Sequence, residues 1–255
     1  MMGTAIRRLA IVGVLCIVWQ AYAMWLKNPL IFPTLTDTLE AGWQATLSGE
    51  LPHRVLLSMR VLLIAYGAGI VLGLALATLA ELTRIGGDVL AVLTAMFTPL
   101  PGIALMPVAL LWFGLGAGGF VFVIVHSVIW PVAINTHAGF AGVPPTLRLV
   151  GRNYGLGGRR LTLSILMPAA LPSILTGLRV GWAFAWRTLI AGELVFGVAT
   201  GTGGLGWYIS QARNAFALPD VFAGLVTVAA IGLIVESVIF RTVEALTVRR
   251  WGVQR

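Results

Sequence analysis

Long apolar runs separated by short polar punctuation dominate the chain. Six of these runs, at residues 9–26, 55–79, 89–113, 120–140, 169–198 and 221–240, are long enough to be read as helices crossing a bilayer. An α-helix rises 1.5 Å per residue, so about 20 apolar residues bridge the hydrocarbon core. The fold class expected is therefore all-α, a polytopic membrane protein with about six transmembrane helices. The polar stretches set the connections. Residues 27–54 carry Lys27, Asp37, Glu40, Glu50, His53 and several prolines, predicting an exterior segment with a short surface helix over residues 35–47. Glu81, Arg84 and Asp88 mark a short turn, residues 114–119 a tight glycine turn, and residues 199–220 a further exterior loop. The segmentation predicts an N-terminal span and exterior segment over 1–54, a core over 55–245 and a tail over 246–255.

Composition agrees with a membrane chain. Of 255 residues 58% are hydrophobic and only 10% charged, with a mean hydropathy of +0.95, far too apolar for a soluble domain of this length. The net charge of +8 would point to nucleic acid in a soluble protein. Here the sign follows topology instead. Arg7, Arg8, Arg84, Arg148, Arg152, Arg159, Arg160, Arg241, Arg249, Arg250 and Arg255 fall on one side of the six spans, against Lys27, Arg54 and Arg213 on the other. The positive-inside rule makes the first side cytoplasmic, with both termini there. A rival for the first run is a cleaved signal peptide ending at Ala21-Tyr22-Ala23, but the apolar run continues through Met24, Trp25 and Leu26. Cys16 lies alone in an apolar run and forms no intrachain disulfide.

Within the spans a few positions stand out. Gly69, Gly73 and Ala77 recur every four residues, a small-residue face for close helix packing. Pro99, Pro101 and Pro107 fall in one span, where they free backbone carbonyls. Broken helices at membrane depth are tolerated where protein or a water-filled cavity meets them, so this span is the first candidate for lining a pathway. Arg60, Arg179, Arg187, Glu193 and Glu236 are costly at such depth. Arg60 and Arg179 are expected to snorkel from span ends. Arg187 and Glu193, six residues apart on different helix faces, are expected to pair elsewhere. His126, alone in a span, is expected to hydrogen-bond a neighbouring helix.

Several chemistries lack their residues. Lys27, the one lysine, precedes Asn28, so no phosphate loop of the GxxxxGK[ST] type exists. Gly114, Gly116 and Gly119, like Gly201, Gly203 and Gly206, match GxGxxG, but in turns between spans rather than after a strand. His53, His126 and His137 have no metal-ligand spacing and no nucleophile motif is present, so neither a metal site nor enzyme chemistry is expected.

The stretch from Val143 to Arg179 mixes Arg148, Arg152, Arg159 and Arg160 with Gly155, Gly157 and Gly158 before Ile165 and Pro168 return to apolar sequence. Glycine at a positive φ lets two short helices meet at a sharp turn, so a docking loop is predicted over 143–168. Its spacing resembles the cytoplasmic signature of bacterial ABC-importer permeases: Glu-Ala-Ala, three residues, Gly, nine residues, Ile, one residue, Leu-Pro. Gly155, Ile165 and Pro168 match; Leu149, Val150 and Gly151 replace Glu-Ala-Ala, and Met167 replaces the leucine. Phe32-Pro33 with Gly49-Glu50-Leu51, the run Pro99 to Gly114, Trp130 to Gly139, and Ala185 to Leu194 resemble the nitrate, taurine and aliphatic-sulfonate branch of these permeases.

That resemblance implies the type I importer permease fold and a permease subunit without its own enzyme activity. It implies a coupling loop of Arg148, Gly151, Arg152, Gly155, Leu156, Gly157, Arg159, Arg160, Ile165 and Pro168, and a pathway bordered by Pro99, Pro101, Pro107, Trp186, Arg187 and Glu193. The partners implied are two copies of a cytoplasmic ATPase holding ATP and Mg, a second permease copy as a homodimer, and an extracytoplasmic solute-binding protein. The solute expected is a small anion or zwitterion such as nitrate, taurine or an alkanesulfonate. The alternatives are a secondary transporter driven by an ion gradient, for which no inverted repeat is visible, and a membrane scaffold.

Overall fold

The computed structural model describes residues 2–197 and 203–247, and they fold as helices and turns. Helix α1 covers Met2–Leu26, α2 Leu35–Leu47, α3 Glu50–Leu82, α4 Arg84–Phe97, α5 Met106–Phe113, α6 Ala117–Ala141 and α7 Pro145–Asn153. Then follow α8 over Gly158–Ala169, α9 over Leu171–Phe196, α10 over Leu205–Asn214 and α11 over Leu218–Leu246. Among the described residues, α3, α6 and α11 are each long and apolar enough to cross a membrane, and Ala10–Leu26 of α1 is a shorter apolar helix. Two further segments are helix pairs bent at a short break, by 83° between α4 and the Gly102–Phe113 stretch and by 75° between α8 and α9. Large apolar side chains such as Ile17, Ile64, Val71 and Leu233 are exposed, an outward face suited to lipid.

The helix ends follow local chemistry. Thr34 caps α2 by accepting the Asp37 N–H at 3.1 Å. The predicted surface helix thus occupies the observed range, and the Leu35 N–H donates at 2.9 Å to Gln20 Oε1 of α1. Helix α3 begins at Glu50, inside the stretch read as exterior. Thr83 caps α4 by accepting the Gly86 N–H. Pro99 has no N–H to continue α4, and an irregular 98–101 stretch leads into a 3₁₀ turn over Gly102–Leu105. Pro107 lies in the first turn of α5, where the missing N–H costs no helix bond; it breaks nothing. Ala117 to Gly119 belong to α6, so the turn after α5 is shorter than the glycine pattern implied.

Two units divide the described chain. The first holds residues 2–58, 193–197 and 203–230. In it, Trp19 and Phe32 each pack on Phe222 of α11, at centroid distances of 5.6 and 5.3 Å, tying α1 to α11.

The second unit holds residues 59–192 and 231–247, and α6 is its core. Phe120, Val123, Ile124, Val128, Val132 and Phe140 of α6 are fully or almost fully buried. A Cβ added at Gly69 of α3 would lie 2.6 Å from Val128 Cβ, and one at Gly73 would lie 2.8 Å from Val132 Cβ. On α9 the same argument applies to Gly177, whose added Cβ would lie 2.9 Å from Asn135 Cβ. Small residues on two helices therefore let both approach α6 closely, which matters because lipid supplies no hydrophobic drive for helix association. Ala77 joins a buried cluster with Phe140, Leu166 and Ile174.

Candidate functional site

Helix α7 ends in a glycine-dependent cap. Gly155 has φ +73°. Its N–H donates to the Arg152 carbonyl at 2.9 Å, and the Leu156 N–H donates to the Gly151 carbonyl at 3.0 Å. This paired pattern is a Schellman cap with Gly155 at the left-handed position. Gly158 also takes a positive φ, +47°, and starts α8. The backbone thus turns sharply twice between Tyr154 and Arg159.

Arg148 holds this loop to the rest of its unit. One guanidinium nitrogen donates to Glu81 Oε1 and another to the Phe140 carbonyl, both at 2.6 Å. Charge-assisted bonds to two helix ends fix the angle at which α7 leaves α6. Arg148 therefore faces inward, whereas Arg152, Arg159 and Arg160 are exposed. Gly151 is buried with no room for a side chain beside Leu161 and Ile165. Leu149, Val150 and Tyr154 are exposed, the last 83%, and a shallow groove runs between Leu147, Val150, Ile165 and Pro168. The loop presents three arginines and a set of apolar side chains on one short helix-turn-helix. The α8 helix continues through a π-helical turn, Thr162–Leu166, to the 75° bend before α9.

The residues expected along a pathway divide into three groups. Pro99, Pro101 and Arg187 line one cavity of about 370 Å³, with Gly102, His126 and Trp130. Pro107 and Trp186 do not line it. Trp186 is buried and stacks on Trp182 at 6.4 Å. Arg187 is exposed, and among the described residues it has no acidic partner. His126 also departs from expectation: among the described residues neither ring nitrogen has a hydrogen-bond partner, and the ring packs edge-on to Phe97 and Trp130.

Glu193 belongs to the first unit and, among the described residues, has no cationic partner either. It is 6% exposed. Ser58 Oγ donates to its carboxylate at 2.8 Å, and the Gly206 N–H donates to Oε2 at 2.8 Å. The Leu205 N–H donates to Ser58 Oγ at 2.8 Å. Two free N–H groups at the start of α10 are thereby satisfied, one by the carboxylate itself, and the helix dipole favours that negative charge. Arg54, one turn before Ser58, donates to the Gly203 carbonyl at 2.8 Å. A Cβ at Gly204 would run into both Glu193 Oε1 and Ser58 Oγ. The second GxGxxG match thus surrounds an internal carboxylate; Gly201 lies outside the described residues. Tyr208 of α10 donates to Asp220 at 2.8 Å, and burial, then that carboxylate, holds its phenol above the usual range.

Arg179 is a further correction. It does not snorkel but pairs with Glu236 and Glu244, each at 3.2 Å, because the two acids lie eight residues apart on α11 and so face the same way. Phe240, between them, sits under the guanidinium at 5.7 Å. Arg249, Arg250 and Arg255 lie outside the described residues. Among the described residues no three His, Cys, Asp or Glu side chains gather closely enough to hold a metal ion. Sequence reasoning missed Ser58, Arg54 and Gly204; glycine density at 201–206 beside the polar span residue Glu193 was the available signal.

Residues 69–253 match the family described as binding-protein-dependent transport system inner membrane component. A protein of Methanocaldococcus jannaschii named as an ABC transporter permease is 30% identical over 86% of this chain and 83% of its own. The taurine transport system permease of Escherichia coli is 28% identical over 86% of this chain and 80% of its own. The nitrate import permease of Synechocystis sp. is 28% identical over 91% of this chain and 85% of its own. With most of its length matched and an all-α fold of apolar spans, the chain belongs to the inner-membrane permease family of binding-protein-dependent ABC transport systems.

Proposed function

We propose that the chain is the membrane subunit of an ATP-driven importer for a small anion or zwitterion, of the kind named for its taurine and nitrate relatives. The observation that carries this reading is the loop of α7 and α8. Its backbone is fixed by the Gly155 cap, its base by Arg148, and its outer face carries Arg152, Arg159, Arg160, Leu149, Val150 and Tyr154. Such a face fits a groove on a separate ATPase, and its rigid attachment to α6 and α3 is what a transmitted movement requires. ATP and Mg bind that partner, two copies of which sit on the cytoplasmic side. Arginine on the α7 and α8 loop, with Arg7 and Arg241 near the two ends, supports placing both termini there. A second copy of the permease completes the pathway, and an extracytoplasmic binding protein delivers the solute. Closure of the ATPase pair on ATP moves the loop, and the spans alternate access.

Affinity purification of the tagged full chain from its native membrane, with mass spectrometry of stoichiometric partners, tests the reading. The expected result is an ATPase that is lost when Arg152, Arg159 and Arg160 are all changed to glutamate. Recovery of the chain alone, transporting on an ion gradient without ATP, would assign it to secondary transport.

A further inference from the structure

We infer that the cavity at the break between α4 and the Gly102–Leu105 turn is a solute site within the permease, selective for an organic anion with a flat aromatic body. This rests on reading the cavity as part of the solute pathway. The polar groups of the cavity differ in what they can still bond. Ser127 Oγ donates to the Val123 carbonyl at 2.9 Å, and it lies 3.0 Å from Thr188 Oγ1. A hydroxyl has one proton. The two hydroxyls and the Val123 carbonyl thus bond to one another, which leaves the pair at most one proton for a ligand.

The remaining polar groups are nitrogens. Trp130 lines the cavity, is 9% exposed, and its Nε1 is buried without an acceptor among the described residues. Both ring nitrogens of His126 are buried without partners, and at least one of them carries a proton in either tautomer. Arg187 adds a guanidinium with no ion pair among the described residues, and no aspartate or glutamate lines the cavity. A buried donor without an acceptor is costly, so each of these groups is stabilised by a ligand that accepts from it. Three kinds of donor and no carboxylate make a site for a negatively charged acceptor.

Shape supplies the second half. The volume of about 370 Å³ is that of a small-molecule pocket, far more than a bare inorganic oxyanion fills. The walls are flat rings: Trp130 stacks on Phe97 with planes 8° apart at 5.2 Å, and Pro99, Pro101 and Phe184 complete them. Gly102 keeps one wall free of side chain, since a Cβ there would strike Ser127. An aromatic carboxylate or sulfonate satisfies both features: its oxygens take the nitrogens and its ring packs on the apolar faces.

Equilibrium binding of radiolabelled benzenesulfonate to the full chain in lipid nanodiscs, competed by methanesulfonate, cyclohexanesulfonate, taurine and nitrate, tests this. Benzenesulfonate is expected to bind about tenfold tighter than methanesulfonate or nitrate, with cyclohexanesulfonate between, because only the ring uses the walls. Arg187→Gln is expected to weaken it about tenfold or more, and Arg187→Lys to restore most of the loss. Trp130→Phe keeps the ring and deletes one donor, and is expected to cost a few-fold for every anion alike; it also serves if Arg187→Gln fails to fold. Absence of binding, equal competition by nitrate, or benzenesulfonate affinity unchanged in both variants would overturn the inference. Recovery of the ATPase partner in the same preparation leaves the importer reading standing in each of those cases, whereas its loss from unaltered membranes would remove that reading.

Discussion

Two glycine-bearing connections, the loop between α7 and α8 and the segment leading into α10, use the same residue for opposite physical reasons. Gly155 is needed for its backbone: φ is +73°, and a Cβ there would meet nothing within 4 Å. Gly204 is needed for its space: φ is an ordinary −80°, but a Cβ would strike the buried Glu193 and Ser58. The first glycine ends a helix; the second lets a helix N-terminus reach an internal carboxylate. A conformational requirement depends on near neighbours and is readable in sequence. A steric one depends on partners such as Ser58, far away in sequence, so the glycine density at 201–206 marks the place but not the neighbour that needs the space.

Substitutions separate the two cases. Gly204→Ala carries the largest expected effect, about 3 kcal/mol of destabilisation with reduced folded yield, because overpacking here displaces a satisfied polar cluster. Thermal unfolding of the purified chain measures it; wild-type stability would remove Glu193 from the account of α10. Glu193→Ala is expected to cost about 2 kcal/mol by stranding the Gly206 N–H and the Ser58 hydroxyl. Glu193→Gln, which still accepts from Gly206, should recover over half of that. Next comes Arg148→Ala, at about 1–2 kcal/mol, for loss of the bonds to Glu81 and the Phe140 carbonyl from a half-buried site. A matching loss in Glu81→Ala, with little further loss in the double variant, would identify the pair by a thermodynamic cycle. Smallest is Gly155→Ala, about 1 kcal/mol of backbone strain. Gly155→Asn should cost less still, since asparagine tolerates the left-handed region. At position 204 asparagine should be worse than alanine, and an equal ranking at both positions would break the distinction.

What was legible follows the same division. Helix positions came from the length of apolar runs, which backbone hydrogen bonding in lipid enforces, and α2 lies where a short surface helix was expected within the polar stretch 27–54. Gly155 and the arginines around it marked the loop because turn chemistry and charge are local. The partners of Arg179, Glu193 and Arg148 were not legible, since each lies on a helix distant in sequence. Arg179, expected to reach water, finds two carboxylates, and Glu193 was expected to find an opposite charge. Glu193 instead finds a hydroxyl and a backbone N–H, and Arg187 opens into a cavity. The break near Pro99 was anticipated, but Pro107 was not distinguishable from it without knowing where α5 starts.

In the proposed function the capped α7 and α8 loop passes the movement of the ATPase to the spans. Its most direct test is the ratio of ATP hydrolysed to solute imported by the complete transporter in proteoliposomes, compared between the wild type and Gly155→Pro. Proline removes the N–H that bonds Arg152 and fixes φ near −65°, abolishing the cap without adding charge. Import is expected to fall much further than hydrolysis, so that the ratio rises at least about tenfold, a loss of transmission of about 1.4 kcal/mol. An unchanged ratio in a folded, assembled Gly155→Pro complex would contradict it.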